Sequence, residues 1–403
     1  MDSTYYRRGF GLKAEIETQL TVDYHSTVVE TLRAGGYRLT VGPLTFRLAR
    51  EFGFCYGVDR AVDYAYETRV KFPDRTLYLV GEIIHNPHVN QNLRRMGVSF
   101  LEHDEEGGFD FSGLAAEDVV ILPAFGVRRG DFDKLRAIGC VLVDTTCGSV
   151  LNVWKRVESY ARDDFTAIIH GKHYHEETKA TASQVTRYPR GRYLVLFDMA
   201  EARVVCDFIE HGGDAAALNA RFAAASSPGF DFATDLERVG IANQTTMLSG
   251  ESLAIAAEFR RSIERRHGAG GVESRFRSFD TICSATQERQ DAVLALLDEP
   301  MDAMVVVGGY NSSNTCHLAA LVESRGTRTF HIEDADCIEA ATGSIRHQPI
   351  GAKREARAEQ WLPAAATIGI TAGASTPNNK IGETVVRICE LAGVAGELRA
   401  LTG

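Results

Sequence analysis

Long apolar runs are missing from this chain. Stretches such as Ala303–Val307 are strand-sized, whereas a membrane-spanning helix needs about 20 consecutive apolar residues. There is no CxxC pair either. The eight cysteines, at 55, 140, 147, 206, 283, 316, 337 and 389 of 403 residues, make no disulfide framework and read as free thiols in a reducing cytoplasm. An excess of positive charge is absent: 44 Lys and Arg against 54 Asp and Glu leave −10. That excludes a basic nucleic-acid footprint over the whole chain, though not a local anion pocket. Asp2, Glu15 and Glu17 stand where a signal or transit peptide would be apolar or poor in acids. No GxxxxGK[ST] loop and no DDxxD pair occurs, so any phosphate would be held directly by side chains. What is present is ordinary: 44% hydrophobic and 24% charged residues, the composition of a globular protein without membrane or nucleic-acid partners.

Residues 1–44 are polar and mixed, and read as an N-terminal extension. Beyond them, short β-rich runs alternate with amphipathic stretches. Leu77–Val80, Val119–Leu122, Val141–Asp144, Ala167–Ile169, Tyr193–Phe197, Val239–Ala242, Met304–Val307 and Thr367–Ile370 read as buried strands; Val153–Arg162 and Ser252–Glu264 read as helices. This alternation predicts an α/β fold with parallel sheets, whose ligands sit in the loops after the strands.

Three loop types recur in the same order. A cysteine loop appears as Gly53–Asp59, as Asp144-Thr145-Thr146-Cys147 and as Asp280-Thr281-Ile282-Cys283. A strand leads into a polar loop at Glu82–Asn86, His170–Thr178 and Gly308–Asn314. A strand leads into a small-residue loop at Pro123–Gly126, Ala242–Thr246 and Thr371–Ser375. Such a repeat predicts three pseudo-threefold α/β units: 45–147, whose first strand is a candidate to pair with the last unit, then 148–279 and 280–403.

A lone cysteine at a helix start is most often a small buried residue. Three in equivalent places, Cys55, Cys147 and Cys283, instead suggest three thiolates around one centre with a fourth position open. Soft thiolates choose iron–sulfur or zinc. Cys140, Cys206, Cys316, Cys337 and Cys389 lie in apolar or helical settings and read as structural. The run His170–Thr178 is dense in groups that handle protons and anions, while a solvated turn is the plain alternative. His85 and Asn311–Asn314 hold the corresponding places in the other units, and His, Ser and Asn donate to phosphate oxygens.

The runs FGFCYGVDRA, EIIHNP, VDTTC, HEET, ANQTTM, TICSATQERQ, GGYNSSN and TAGASTP resemble the 4-hydroxy-3-methylbut-2-enyl diphosphate reductase family, in order over about residues 45–390. The extension, PAFG and HGKxxHEET resemble its longer cyanobacterial and plastid branch. The resemblance implies three α/β units around a central [4Fe-4S] cluster with one open iron, held by Cys55, Cys147 and Cys283. It implies substrate contacts from His85, His175, Thr245, Ser312, Ser313, Asn314 and Ser375, and proton delivery by Glu177 with Thr245 as relay. The implied reaction takes two electrons, from reduced ferredoxin or flavodoxin, and two protons to remove the allylic hydroxyl. Two positions depart from the family pattern: Phe125 replaces a common histidine, and Gly148 replaces a proline after the second cysteine.

Two other functions fit three cysteines. A dehydrating enzyme of the quinolinate synthase or hydro-lyase kind would turn over without a reductant. A redox sensor or electron carrier would leave Glu177 and Asn311–Asn314 without a task. Replacing Cys55, Cys147 or Cys283 by serine is expected to remove iron and sulfide, while Cys206→Ser and Cys389→Ser keep both. Iron and sulfide counts on the five anaerobically purified variants check this, and a full count in Cys147→Ser would exclude that cysteine as a ligand.

Overall fold

A computed structural model describes residues 4–104, 108–279 and 281–403; Asp280 of the third cysteine motif lies outside them. The chain divides into two compact units, one of Met1–Arg8, Asp74–Gly81 and Val98–Cys283, the other of Gly9–Pro73, Glu82–Gly97 and Ser284–Gly403.

The first unit carries two parallel sheets. One has the order Tyr5–Tyr6, Val141–Asp144, Val119–Leu122, Leu77–Val80, Val98–Leu101; the other has Phe276–Ser278, Val239–Asn243, Thr166–His170, Tyr193–Leu196. Val119–Leu122, Val141–Asp144, Thr166–His170 and Val239–Asn243 are buried along their whole length. Cover on both faces explains their near-continuous apolar runs. Ile168, Leu194, Val239 and Ile241 meet Val205, Ile209, Ile255 and Phe259 of the helices Met199–His211 and Ser249–His267 in one core.

In the second unit the sheet order is Thr329–Ile332, Ala303–Val307, Ala366–Ala372, Leu44–Leu48, Arg38–Val41, with only the last strand antiparallel to its neighbour. A small antiparallel sheet of Ile338–Glu339, Ser344–His347 and Ala356–Glu359 is added to it. Leu44, Phe46, Val305, Ile368 and Trp361 share its core.

The three parallel sheets repeat one plan. The strand entering a cysteine loop lies beside the strand entering a small-residue loop, followed by the strand entering a polar loop and then an edge strand. In the third sheet the first of these is Leu44–Leu48, which pairs with Ala366–Ala372 across most of the sequence. Residues 1–44 divide between the units: Tyr5–Tyr6 pairs with Val141–Asp144, while the helices Lys13–Tyr24 and Thr27–Ala34 belong to the second unit.

Ser26 caps the helix Thr27–Ala34 by accepting from the Val29 amide, and Gly382 of the helix Asn378–Leu391 lies hard against it. A Cβ at Gly382 would stand 2.0 Å from Ser26 Oγ, whereas one at Gly148 would meet nothing within 4 Å. Gly382→Ala is therefore expected to lower stability by about 1–3 kcal/mol through overpacking. Gly148→Ala should be neutral or stabilising by up to about 1 kcal/mol, since alanine is the better helix former. Urea midpoints of the two variants check the contrast.

Candidate active site

Each of the three cysteines sits directly after a strand-to-helix turn. Cys55 and Cys147 occupy the cap position of the helices Tyr56–Lys71 and Gly148–Arg162, and Cys283 immediately precedes Ser284–Leu297. The same backbone bond recurs at all three. The Cys147 amide donates to Ala124 O at 2.8 Å, that of Cys283 to Thr245 O at 3.3 Å and that of Cys55 to Ala374 O at 3.2 Å. In every case the acceptor belongs to the small-residue loop of the neighbouring strand.

The donor set suits a thiolate-held group. These three thiols are half-buried, whereas Cys140, Cys206, Cys337 and Cys389 are buried. Burial pushes the thiols of Cys206 and Cys389 up to about 12 and raises that of Cys140, so these stay protonated at neutral pH. Cys316 is also half-buried, but its thiol donates to the Tyr310 carbonyl at 3.3 Å. In the first unit Ser149 Oγ donates to Cys283 Sγ at 3.4 Å, tying the turn after Cys147 to the third cysteine. Cys55 belongs to the second unit, where buried Arg289 donates to Gly53 O at 2.7 Å and steadies its loop. Among the described residues, no group of three or more His, Cys, Asp or Glu side chains is placed to hold a metal ion.

Glu177 and Thr245 meet in the first unit. Glu177 is 3% exposed. Its Oε1 accepts from the Thr245 amide at 2.6 Å, and its Oε2 lies 2.9 Å from Thr245 Oγ1. An amide can only donate, so Oε1 is fixed as an acceptor. The contact between Oε2 and Oγ1 is the one along which a proton can pass. Thr245 thus holds the acid with its amide and hydroxyl, and the Cys283 amide with its carbonyl.

His175 caps the helix Glu176–Val185, its Nδ1 accepting from the Glu177 amide at 3.2 Å. Neutral His175 therefore carries its proton on Nε2, ready to donate. Phe125 does not donate; its ring stands edge-on to His175, with centroids 6.4 Å apart. Gln244, which sequence reasoning did not single out, accepts from the Lys172 amide and from Thr178 Oγ1, both at 3.1 Å, and so pins the polar loop. His170 is fully buried, with Nδ1 2.7 Å from Ser252 Oγ, a structural position within the same motif.

The second unit gathers His85, Ser312, Ser313, Asn314 and Ser375. Ser375 Oγ lies 3.2 Å from His85 O and 3.3 Å from Ser312 Oγ, while Asn314 Oδ1 accepts from the Ala374 amide at 2.9 Å. Glu82, another residue missed in the sequence, uses one oxygen to accept from His85 Nδ1 at 2.9 Å and Asn311 Nδ2 at 3.1 Å. Ser313 Oγ and Asn314 Nδ2 are buried and have no partner among the described residues. Unpaired buried donors are costly, and two of them at the first turn of the helix Ser313–Ser324 form a ready anion site.

Residues 46–389 match the family described as LytB protein. The chain belongs to the LytB protein family. It is 51% identical over 394 residues to the 4-hydroxy-3-methylbut-2-enyl diphosphate reductase of Gloeobacter violaceus, covering 97% of this chain and 93% of that one. To the enzyme of the same name from Thermosynechococcus vestitus it is 50% identical over 392 residues, covering 97% and 96%. Among solved structures, (E)-4-hydroxy-3-methyl-but-2-enyl diphosphate reductase, described as the terminal enzyme of the non-mevalonate pathway, aligns with a TM-score of 0.50 at 27% identity, over 86% of this chain and 99% of that one. The E-1-hydroxy-2-methyl-but-2-enyl-4-diphosphate reductase from Plasmodium falciparum aligns with a TM-score of 0.62 at 19% identity, over 85% and 87%, which is a likeness of fold.

Ser313→Ala separates binding from stability. Removing an unpaired buried hydroxyl should leave the thermal midpoint unchanged or slightly higher, while affinity for inorganic pyrophosphate falls by about 0.5–1.5 kcal/mol. Differential scanning fluorimetry and titration calorimetry on the same preparation check both halves.

Proposed function

We infer that this protein catalyses the reductive dehydroxylation of (E)-4-hydroxy-3-methylbut-2-enyl diphosphate to isopentenyl and dimethylallyl diphosphates, the last step of the non-mevalonate isoprenoid pathway. Close relatives over nearly the full length of both chains carry that activity in their names. The observation that carries the reading within this chain is the run of bonds from Glu177 through Thr245 to Cys283. It sets a buried acid with a hydroxyl relay beside a cysteine of the kind that holds a redox centre.

Members of this family are iron–sulfur enzymes. We assign Cys55, Cys147 and Cys283 as the cluster ligands, on their equivalent turns and shared backbone bond. Bound there, a [4Fe-4S] cluster would relay, one at a time, the two electrons from the external donor and would act as a Lewis acid toward the allylic C–O bond. The chain's own residues do the rest. Ser312, Ser313, Asn314, Ser375 and His85 hold the diphosphate, with His175 donating from Nε2. Anchoring this non-reacting end orients the allylic hydroxyl, so the ordering cost is met before the chemical step. Glu177 delivers a proton to the departing hydroxyl, and Thr245 Oγ1 passes the next proton to the carboxylate. Two electrons and two protons leave the products and water. Reduced ferredoxin or flavodoxin is the proposed donor. Eight free cysteines and no described helix long and apolar enough to cross a membrane support a cytoplasmic setting.

Anaerobic turnover of the allylic diphosphate with reduced ferredoxin or flavodoxin tests the reading. Product without a reductant would instead assign a dehydrating enzyme. Glu177→Gln keeps the shape of the side chain but holds no transferable carboxyl proton, and should slow turnover by about 10²–10⁴-fold. Its substrate Kd should stay close to the parent value. A near-parental rate would move the donor role to another group.

A further inference from the structure

We propose that the small antiparallel sheet between Ile338 and Glu359 is a clamp on the substrate loop, in which Glu355 is a positioning residue acting through Tyr310. The proposal rests on the reading of Ser312, Ser313 and Asn314 as diphosphate contacts. Residues 333–365 connect the strands Thr329–Ile332 and Ala366–Ala372 and carry three short strands of their own. This connection is no loose excursion. Ile338, Ile345 and Trp361 are buried in the core of the second unit, so its short strands form a rigid platform.

From that platform Glu355 Oε1 accepts the Tyr310 hydroxyl at 2.8 Å. Its other oxygen accepts from Arg346 Nη1 at 2.8 Å on the neighbouring strand, and Arg346 also donates to Asp336 O at 3.1 Å. The carboxylate is thereby held in one orientation. Tyr310 is fixed on its other sides as well. Its ring stands edge-on to buried His331, centroids 5.1 Å apart at 81°, and His331 Nε2 lies 3.0 Å from Gly308 O. Its carbonyl accepts from Cys316 Sγ at 3.3 Å. The next residue, Asn311, donates to Glu82 Oε2 at 3.1 Å. Residues 310 and 311 are therefore held by two separate carboxylates, Glu355 and Glu82, immediately before Ser312–Asn314. Gly308, at φ +145, could not steady the turn by itself. A loop held in this way presents its unpaired Ser313 and Asn314 donors already in place, and ordering them costs little when the diphosphate arrives.

The test uses the anaerobically prepared holoenzyme and four variants: Tyr310→Phe, Glu355→Ala, the double variant, and Arg357→Ala as a control on the same small sheet. KM for the allylic diphosphate and Ki for inorganic pyrophosphate should each rise about three- to tenfold in the two single variants, with kcat within about twofold of the parent. The double variant should be no worse than the weaker single one, because both remove the same bond. Arg357→Ala should match the parent. Amide hydrogen exchange at residues 308–314 should quicken in Tyr310→Phe and Glu355→Ala alike. Unchanged affinities, effects that multiply in the double variant, or unaltered exchange would overturn the clamp. A parent enzyme that neither turns over the allylic diphosphate nor binds pyrophosphate would overturn the substrate reading instead. Faster exchange in both variants would then still uphold the grip of Glu355 on the loop.

Discussion

One backbone hydrogen bond, made three times, governs the arrangement of the three cysteine loops: a cysteine amide donating to the carbonyl of the adjacent small-residue loop. It can form only where the strand entering the cysteine loop runs parallel to and beside the strand entering the other. The strand orders of all three parallel sheets meet that condition. Parallel neighbours end at the same edge of a sheet, so both loops emerge together at the carboxyl ends of the strands, where open α/β sheets place their ligands. The third sheet meets the condition by pairing Leu44–Leu48 with Ala366–Ala372, near opposite ends of the chain. Were that pairing lost, Cys55 would lose Ala374 as its backbone partner, and Gly53 its bond to Ala372.

A second constraint is the way charge is held in the polar loops. Glu177 is nearly inaccessible to water, and an amide and a hydroxyl of Thr245 hold it. Hydrogen bonds from such donors offset part of the cost of burying a carboxylate. Glu82 works differently. Partly exposed, it joins two polar loops through a single oxygen, and its contact with His85 Nδ1 sets the direction of that ring.

The fully buried strands were legible because cover on both faces demands an unbroken apolar run, as in Val119–Leu122 and Ala303–Val307. Short edge strands such as Val98–Leu101 and Phe276–Ser278 carry exposed and half-buried positions and no such run, so composition alone passed over them. The cysteine, polar and small-residue loops could be read because each needs particular side chains at the end of a strand. Their supports could not. Gln244, Arg289 and Glu355 reach partners 66, 236 and 45 residues away, and no local pattern marks such bonds. Phe125 was recognisable as a position lacking a donor; that its ring meets His175 was not.

The sequence by itself determined which residue types stand at the loops that follow the strands. Three cysteines, an acid, and a set of histidines, serines and asparagines stand at recurrent places after strands, and their identities are local facts. Only the tertiary structure decided how those groups are used: that Thr245 serves both Glu177 and Cys283, that neutral His175 keeps its proton on Nε2, and that Ser313 and Asn314 are left with unpaired donors. The reason is that a hydrogen bond needs its partner within about 3 Å and in line. Which distant loop supplies that partner is set by the order of strands in a sheet, a property of the folded chain that no single segment contains.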